Sequence, residues 1–247
     1  MALTLMLQDW TEATGKCLTA ITVDHGLRLE SREEAVGVAA SLASRGISHV
    51  TLDWEGEKPT SNLQSAARKA RYELMSAWCD RNSVSCLALA HQLEDQAETF
   101  LLRLARGSGV YGLAAMESCL MPASPNTPWR IRPLLDVPKA RLKATLQAKE
   151  QAWIEDPSNR LGRFSRVRVR ALREPLASVG ITPERLAATA RHLARARAFI
   201  EAQADAVLSE CAALRFSGYC RVNVPALVAV HEEVGLRALS RILMAVS

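Results

Sequence analysis

A chain of 247 residues can bury a substantial core, as one large domain or as two smaller ones. Its 49% hydrophobic and 23% charged residues exclude an intrinsically disordered chain. No run approaches the roughly 20 apolar residues that a membrane span needs, and the apolar start MALTLMLQDW lacks the basic leader and cleavage site of a signal peptide.

The six cysteines are scattered, with no CxxC and no paired His/Cys spacing, which argues against a zinc site or an iron–sulfur cluster. Several of them lie in apolar runs and read as reduced, buried thiols of a cytosolic protein. The net charge of +5 is unevenly spread. Between Arg160 and Arg197 ten arginines stand against Glu174 and Glu184. Such a patch attracts phosphates, although solvated helix faces would account for it too.

In chain order, Ala2 to Thr14 has helical spacing of Leu3, Met6, Leu7 and Trp10, with Gly15 as the stop. Cys17 to Val23 is a β-branched, buried strand. Ser31 is the natural N-cap of a helix that ends before Gly46. Ile47 to Trp54 is the next strand, and Gly56 to Ser61 a turn-rich loop. Asn62 caps a long helix through Arg81. Val84 to Ala90 is a short buried strand, followed by a helix over Leu93 to Arg106 that stops at Gly107-Ser108-Gly109. Arg130 to Leu135 is a last short strand and Val137 to Glu150 a helix. This alternation predicts a parallel sheet with right-handed crossovers. Unusually, it opens on a helix.

Beyond Asp156-Pro157-Ser158-Asn159 the pattern changes. Thr182 to Ala213 is Ala-, Arg- and Leu-rich with Pro183 in a first-turn position, Cys220 to Val224 is a candidate strand, and Pro225 to Val246 reads as helical. A boundary near residues 157 to 165 therefore leads into a mostly helical second domain.

The chemistry concentrates in His91 to Met116. His91, Asp95 and Glu98 lie at i, i+4 and i+7, sharing one face if the helix begins early. Acids and a histidine where a buried strand ends suit a magnesium-nucleotide site. Carboxylates in a first turn also serve the helix dipole, which explains Glu94 and Asp95 but not His91. Arg103 and Arg106 form a second stripe with Gln96 and Thr99, placed to hold phosphate. Arg68 and Tyr72 are i, i+4 partners on a helix whose Ala66, Ala67 and Ala70 permit close packing on a sheet. Val23-Asp24-His25-Gly26 leaves a strand at its carboxyl end, as a plain turn or as a place for a base or ribose. Arg166, Arg168 and Arg170 alternate with valines; as a strand they share one face, and as a helix start they spread.

Five strings, in order, resemble the signature of bacterial tRNA(Ile)-lysidine synthases: VDHGLR from Val23, ARKARY from Ala67, HQLEDQAETFLLRLARGSG from His91, IRPLL from Ile131 and EDPSN from Glu155. The resemblance covers residues 1 to about 175 and places the chain among the N-type ATP pyrophosphatases. It implies an adenine nucleotide alpha hydrolase-like α/β fold, a parallel sheet with helices on both faces, over residues 1–158, and a smaller helical tRNA-contacting domain over 159–247. It implies ATP and magnesium as cofactors, and tRNA(Ile) with a CAU anticodon and free L-lysine as partners. The setting is cytoplasmic, away from membranes, with a homodimer as one form. In that reading lysine is ligated to C2 of the wobble cytidine through an adenylated intermediate.

By the same resemblance, His91, Asp95, Glu98 and Arg68 form the catalytic group, with Asp95 as the magnesium ligand. Val23, Asp24, His25, Arg71 and Gly107 serve the nucleotide. Arg103, Arg106, Arg132, Arg166, Arg168 and Arg170 serve the tRNA. The family's phosphate-cradling Ser-Gly-Gly-x-Asp-Ser loop does not occur in this sequence; Met1-Ala2-Leu3 aligns just after it. That points to a first strand and phosphate loop missing through truncation. Gln92 and Val167 stand where the family often has histidine and asparagine, and the C-terminal domain of longer members is not matched. The alternatives are a catalytically impaired tRNA-binding remnant, or another tRNA-modifying member such as a thiolase.

Overall fold

A computed structural model describes residues 1–27, 30–122, 124–153, 165–215 and 219–246. It divides into two compact units, residues 1–95 with 117–163, and residues 96–116 with 164–247. Compactness thus groups the segment 96–116 with the C-terminal residues rather than following chain order.

In the first unit, Ala2–Thr14 (α1) ends at Gly15, whose φ of 63° is the left-handed stop that a glycine accommodates. Thr19–Asp24 (β1) pairs in parallel with Ser48–Asp53 (β2), which is reached through the helix Glu30–Ala43 (α2). Leu63–Arg81 (α3) leads to Cys86–Ala88 (β3). The helix Leu93–Leu104 (α4) follows and carries the chain into the second unit. On return, Cys119–Leu120 (β4) and Trp129–Ile131 (β5) form a three-stranded sheet of order β3-β5-β4, with β3 and β5 parallel and β4 antiparallel. Lys139–Ala148 (α6) completes the unit.

Both faces of β1 are covered, because its side chains alternate. Leu18 and Ala20 pack with Ala2 and Leu5 of α1, Leu42 of α2 and Leu146 of α6. Ile21 and Val23 pack with Leu52 of β2, Leu87 and Leu89 from β3 and the loop after it, and Met75 and Cys79 of α3. Helix α3 comes close because Ala67 and Ala70 line its buried side. This is the expected α/β arrangement.

The second unit is mainly helical. It holds most of α4, Val110–Leu113 (α5), Ser165–Ala171 (α7), Arg173–Ser178 (α8) and the 29-residue helix Pro183–Cys211 (α9). Ala212–Leu214 (β6) and Cys220–Val222 (β7) then form an antiparallel pair, followed by Val224–Val228 (α10) and Glu232–Val246 (α11). Thr182 caps α9 through its side chain, with Pro183 in the first turn. Fully buried Ala187, Ala190, Ala204 and Ala238 let helices approach α9 closely. One core joins Phe100, Ala115 and Ala190; another joins Ala204, Val234 and Ala238.

Several local expectations change. Asn62 adopts a left-handed φ of 53° and makes no side-chain cap. Ser31 does not cap α2 from outside; it lies within the helix, which begins at Glu30. The helix expected to reach Ala213 ends at Cys211 because the next three residues pair with β7, and 225–246 is two helices rather than one. Only Cys79 and Cys211 are buried; Cys17, Cys86 and Cys119 are exposed, and all six are free thiols. Arg28 and the EDPSN string lie outside the described residues.

Candidate functional site

Asp24 and Asp53 are register partners at the carboxyl ends of β1 and β2, so the next residues, His25 and Trp54, leave the ladder together. The buried Asp24 carboxylate accepts from Gly26 N–H at 2.9 Å and from Ser31 Oγ at 2.7 Å. Those bonds, the backbone one first, hold its pKa below the usual carboxylate value. Gly26, with φ 59°, closes the turn. Asp24 thus organises the loop that presents His25.

Arg71 of α3 donates from Nε and Nη2 to His25 Nε2, at 3.3 and 3.1 Å. Trp54 meets the imidazole edge-on, with ring centroids 5.8 Å apart. The Lys58 ammonium stacks 4.3 Å from the Trp54 ring centroid and donates to the Trp54 carbonyl. Burial first, then the Arg71 charge, lowers the His25 pKa, so the ring is held neutral. Its Nδ1 is buried with no hydrogen-bond partner among the described residues. Two cations, an indole and an imidazole therefore gather at one strand edge, a set suited to an anionic, aromatic ligand. The Val23 side chain belongs to the core.

Arg68 reaches Tyr72, with Nη2 3.4 Å from the hydroxyl and the guanidinium 5.1 Å from the ring centroid. Arg130 of β5 lies 5.5 Å from the same ring centroid. Half-buried His91 follows β3 at its carboxyl end. Asp95 accepts from the Gln92 N–H at 3.1 Å, closing the first turn of α4. Glu94 accepts from Lys139 N–H at 3.1 and 3.0 Å and so caps α6. Arg132 is 5% exposed and donates from Nη1 to the Glu117 carbonyl, at 2.7 Å.

In the second unit, Glu98 is 4% exposed and accepts from Arg170 Nε and Nη2, at 2.5 and 3.2 Å. Gln96 donates to the Met116 carbonyl at 2.8 Å and accepts from its N–H at 2.9 Å. Arg103 Nη1 donates to the carbonyls of Gly112 and Ala115, at 2.6 and 2.9 Å. These ties fasten the turn after α4, where Gly107 has φ 71°. Arg106 and Arg168 are exposed and Arg166 half-buried. The alternating arginines lie on a helix, so they spread around it.

The structure thus brings together His25 with Arg71, and Glu98 with Arg170. Trp54, Lys58 and Arg130 had no motif to single them out. Among the described residues no three His, Cys, Asp or Glu side chains converge as a metal site, and no helix is long and apolar enough to cross a membrane.

Residues 1–175 match the PP-loop domain family, a family of ATP-utilising proteins, and the chain is a PP-loop protein. A tRNA(Ile)-lysidine synthase of Bradyrhizobium sp. (strain BTAi1) is 43% identical over 98% of this chain and 69% of its own length. One of Methylobacterium sp. (strain 4-46) is 44% identical over 89% of this chain and 63% of its own. The chain thus spans about two thirds of the length of these relatives. The chain belongs to the tRNA(Ile)-lysidine synthase family, whose members are carbon–nitrogen ligases. A solved structure, the U34-tRNA thiolase NcsA from Methanococcus maripaludis with its [4Fe-4S] cluster, shares the fold: TM-score 0.63, 18% identity, 78% of this chain and 68% of that one.

Proposed function

We propose that this chain is the body of an enzyme that ligates lysine to C2 of the wobble cytidine in a CAU-anticodon tRNA(Ile), using ATP. One observation carries the reading. A chain 43% identical to a named synthase over 98% of its length places His91 and the start of α4 where a parallel strand ends, the edge at which α/β sheets bind ligands.

Cytidine C2 is a weak electrophile while its oxygen is a carbonyl. Attack of that oxygen on the α-phosphorus of ATP expels pyrophosphate and turns the oxygen into a good leaving group. The unprotonated lysine ε-amine then adds to C2, loses a proton, and AMP departs. The chain's part is positioning and charge neutralisation. His91 faces the α-phosphate, Arg68 and Arg71 hold phosphate or the activated base, and the His25–Trp54 edge takes the adenosine. Magnesium on a nucleotide needs only one or two protein carboxylates, and Asp95 fits that demand; when bound, the ion neutralises phosphate charge. Exposed Arg106 and Arg168, with Arg166, serve the tRNA backbone. The setting is cytoplasmic.

The test is Asp95→Asn in the protein. Lysine-dependent pyrophosphate release is lost while tRNA affinity is kept; full retained turnover removes Asp95 from the site.

A further inference from the structure

We infer that Arg170 is a positioning residue for α4 and not a contact to the tRNA backbone. The charge pattern groups it with Arg166 and Arg168, yet its geometry separates it. Its Nε/Nη2 edge, the edge that would grip a phosphate bidentately, is closed on both oxygens of Glu98 at 2.5 and 3.2 Å. The carboxylate is 4% exposed. A buried carboxylate demands a partner, and removing one member of such a pair strands the other. Arg170 therefore neutralises Glu98 and pins α7 to the α4 turn just after Asp95. The same stretch of α4 is fixed by Gln96 on Met116 and by Arg103 on Gly112 and Ala115. Arg168, exposed on the same helix, is the natural comparison for a phosphate contact.

This rests on the reading of the chain as a tRNA-binding enzyme, and its test separates the two. Arg170→Met, Arg170→Lys, Glu98→Met, the Arg170→Met/Glu98→Met double variant and Arg168→Met are made in the protein. Thermal unfolding is followed alongside tRNA affinity across a salt series. Each Met variant at the pair lowers the unfolding midpoint by several degrees. The double variant recovers most of that loss, because a hydrophobic pair replaces the ionic one. Arg168→Met weakens tRNA binding and reduces the slope of log affinity against log salt by about one. Arg170→Lys, which keeps the charge but loses the fork, leaves that slope and the affinity within about twofold of the parent while its midpoint and kcat fall. Additive midpoint losses in the double variant overturn the inference. So does an Arg170→Met slope that drops as Arg168→Met does. Absence of tRNA binding in the parent sinks the functional reading instead, and the unfolding cycle still reports on the pair.

Discussion

Arg71 and His25 form a one-directional pair: the guanidinium can only donate, so His25 Nε2, 3.1 and 3.3 Å away, accepts. The neutral ring therefore carries its proton on Nδ1. Forty-six residues separate the two in sequence, and the contact ties α3 to the carboxyl end of β1. The His25 Nδ1 is buried, with no hydrogen-bond partner among the described residues.

The pair has a pH signature. His25 titrates below its ordinary value of 6.5, first because it is desolvated and then because Arg71 is near. The unfolded chain consequently takes up this proton before the folded chain does. His25 leaves stability unchanged well above pH 6.5, and stability declines as the pH falls from there to the folded pKa. Arg71→Met removes the second cause and moves the midpoint up, short of 6.5. Imidazole NMR titration of both proteins reads this directly; identical midpoints would place Arg71 away from the ring.

Gln96 is predicted to be a keystone of the α4–α5 turn. Its amide satisfies both backbone groups of Met116 from a site that is 5% exposed. Gln96→Leu orphans the N–H and C=O of half-buried Met116 and costs about 1–3 kcal/mol. Gln96→Glu can still accept but not donate when ionised, and falls between. Denaturant unfolding measures both, and a Leu variant as stable as the parent contradicts the clamp.

Gly112 is predicted to be irreplaceable for a steric reason. A Cβ there would lie 2.4 Å from Ser108 Cβ and 2.8 Å from its Oγ. Gly112→Ala forces the turn apart and destabilises by about 1–3 kcal/mol. Adding Ser108→Gly removes the obstructing atoms and restores part of the loss. Thermal melts of the two variants decide it; equal losses would mean the clash is with something other than Ser108.

The strands β1, β2 and β3 were legible because β-branched and apolar runs bounded by turn residues have few other solutions. The hairpin strand β6 was not. Ala212-Ala213-Leu214 continues a helical composition, and only pairing with Cys220–Val222 pulls it out of α9. The break between α10 and α11 likewise leaves no periodic trace. At the site, His25 and Arg71 were visible as motif residues, but Trp54 was not. It reaches His25 through the Asp24–Asp53 register, a consequence of parallel pairing rather than of local pattern. The arginines differ most from one another in their surroundings. Composition treats every arginine as surface charge, whereas Arg132 is buried on a carbonyl and Arg170 is paired with a buried carboxylate.

Lysine transfer itself is the measurement closest to the central claim. The protein is incubated with ATP, magnesium, labelled lysine and tRNA(Ile) bearing a CAU anticodon. The account predicts label on the wobble cytidine, pyrophosphate released in equal amount, and no label on a CAU-anticodon tRNA(Met). Pyrophosphate release that is indifferent to lysine and depends on a sulfur donor would contradict it.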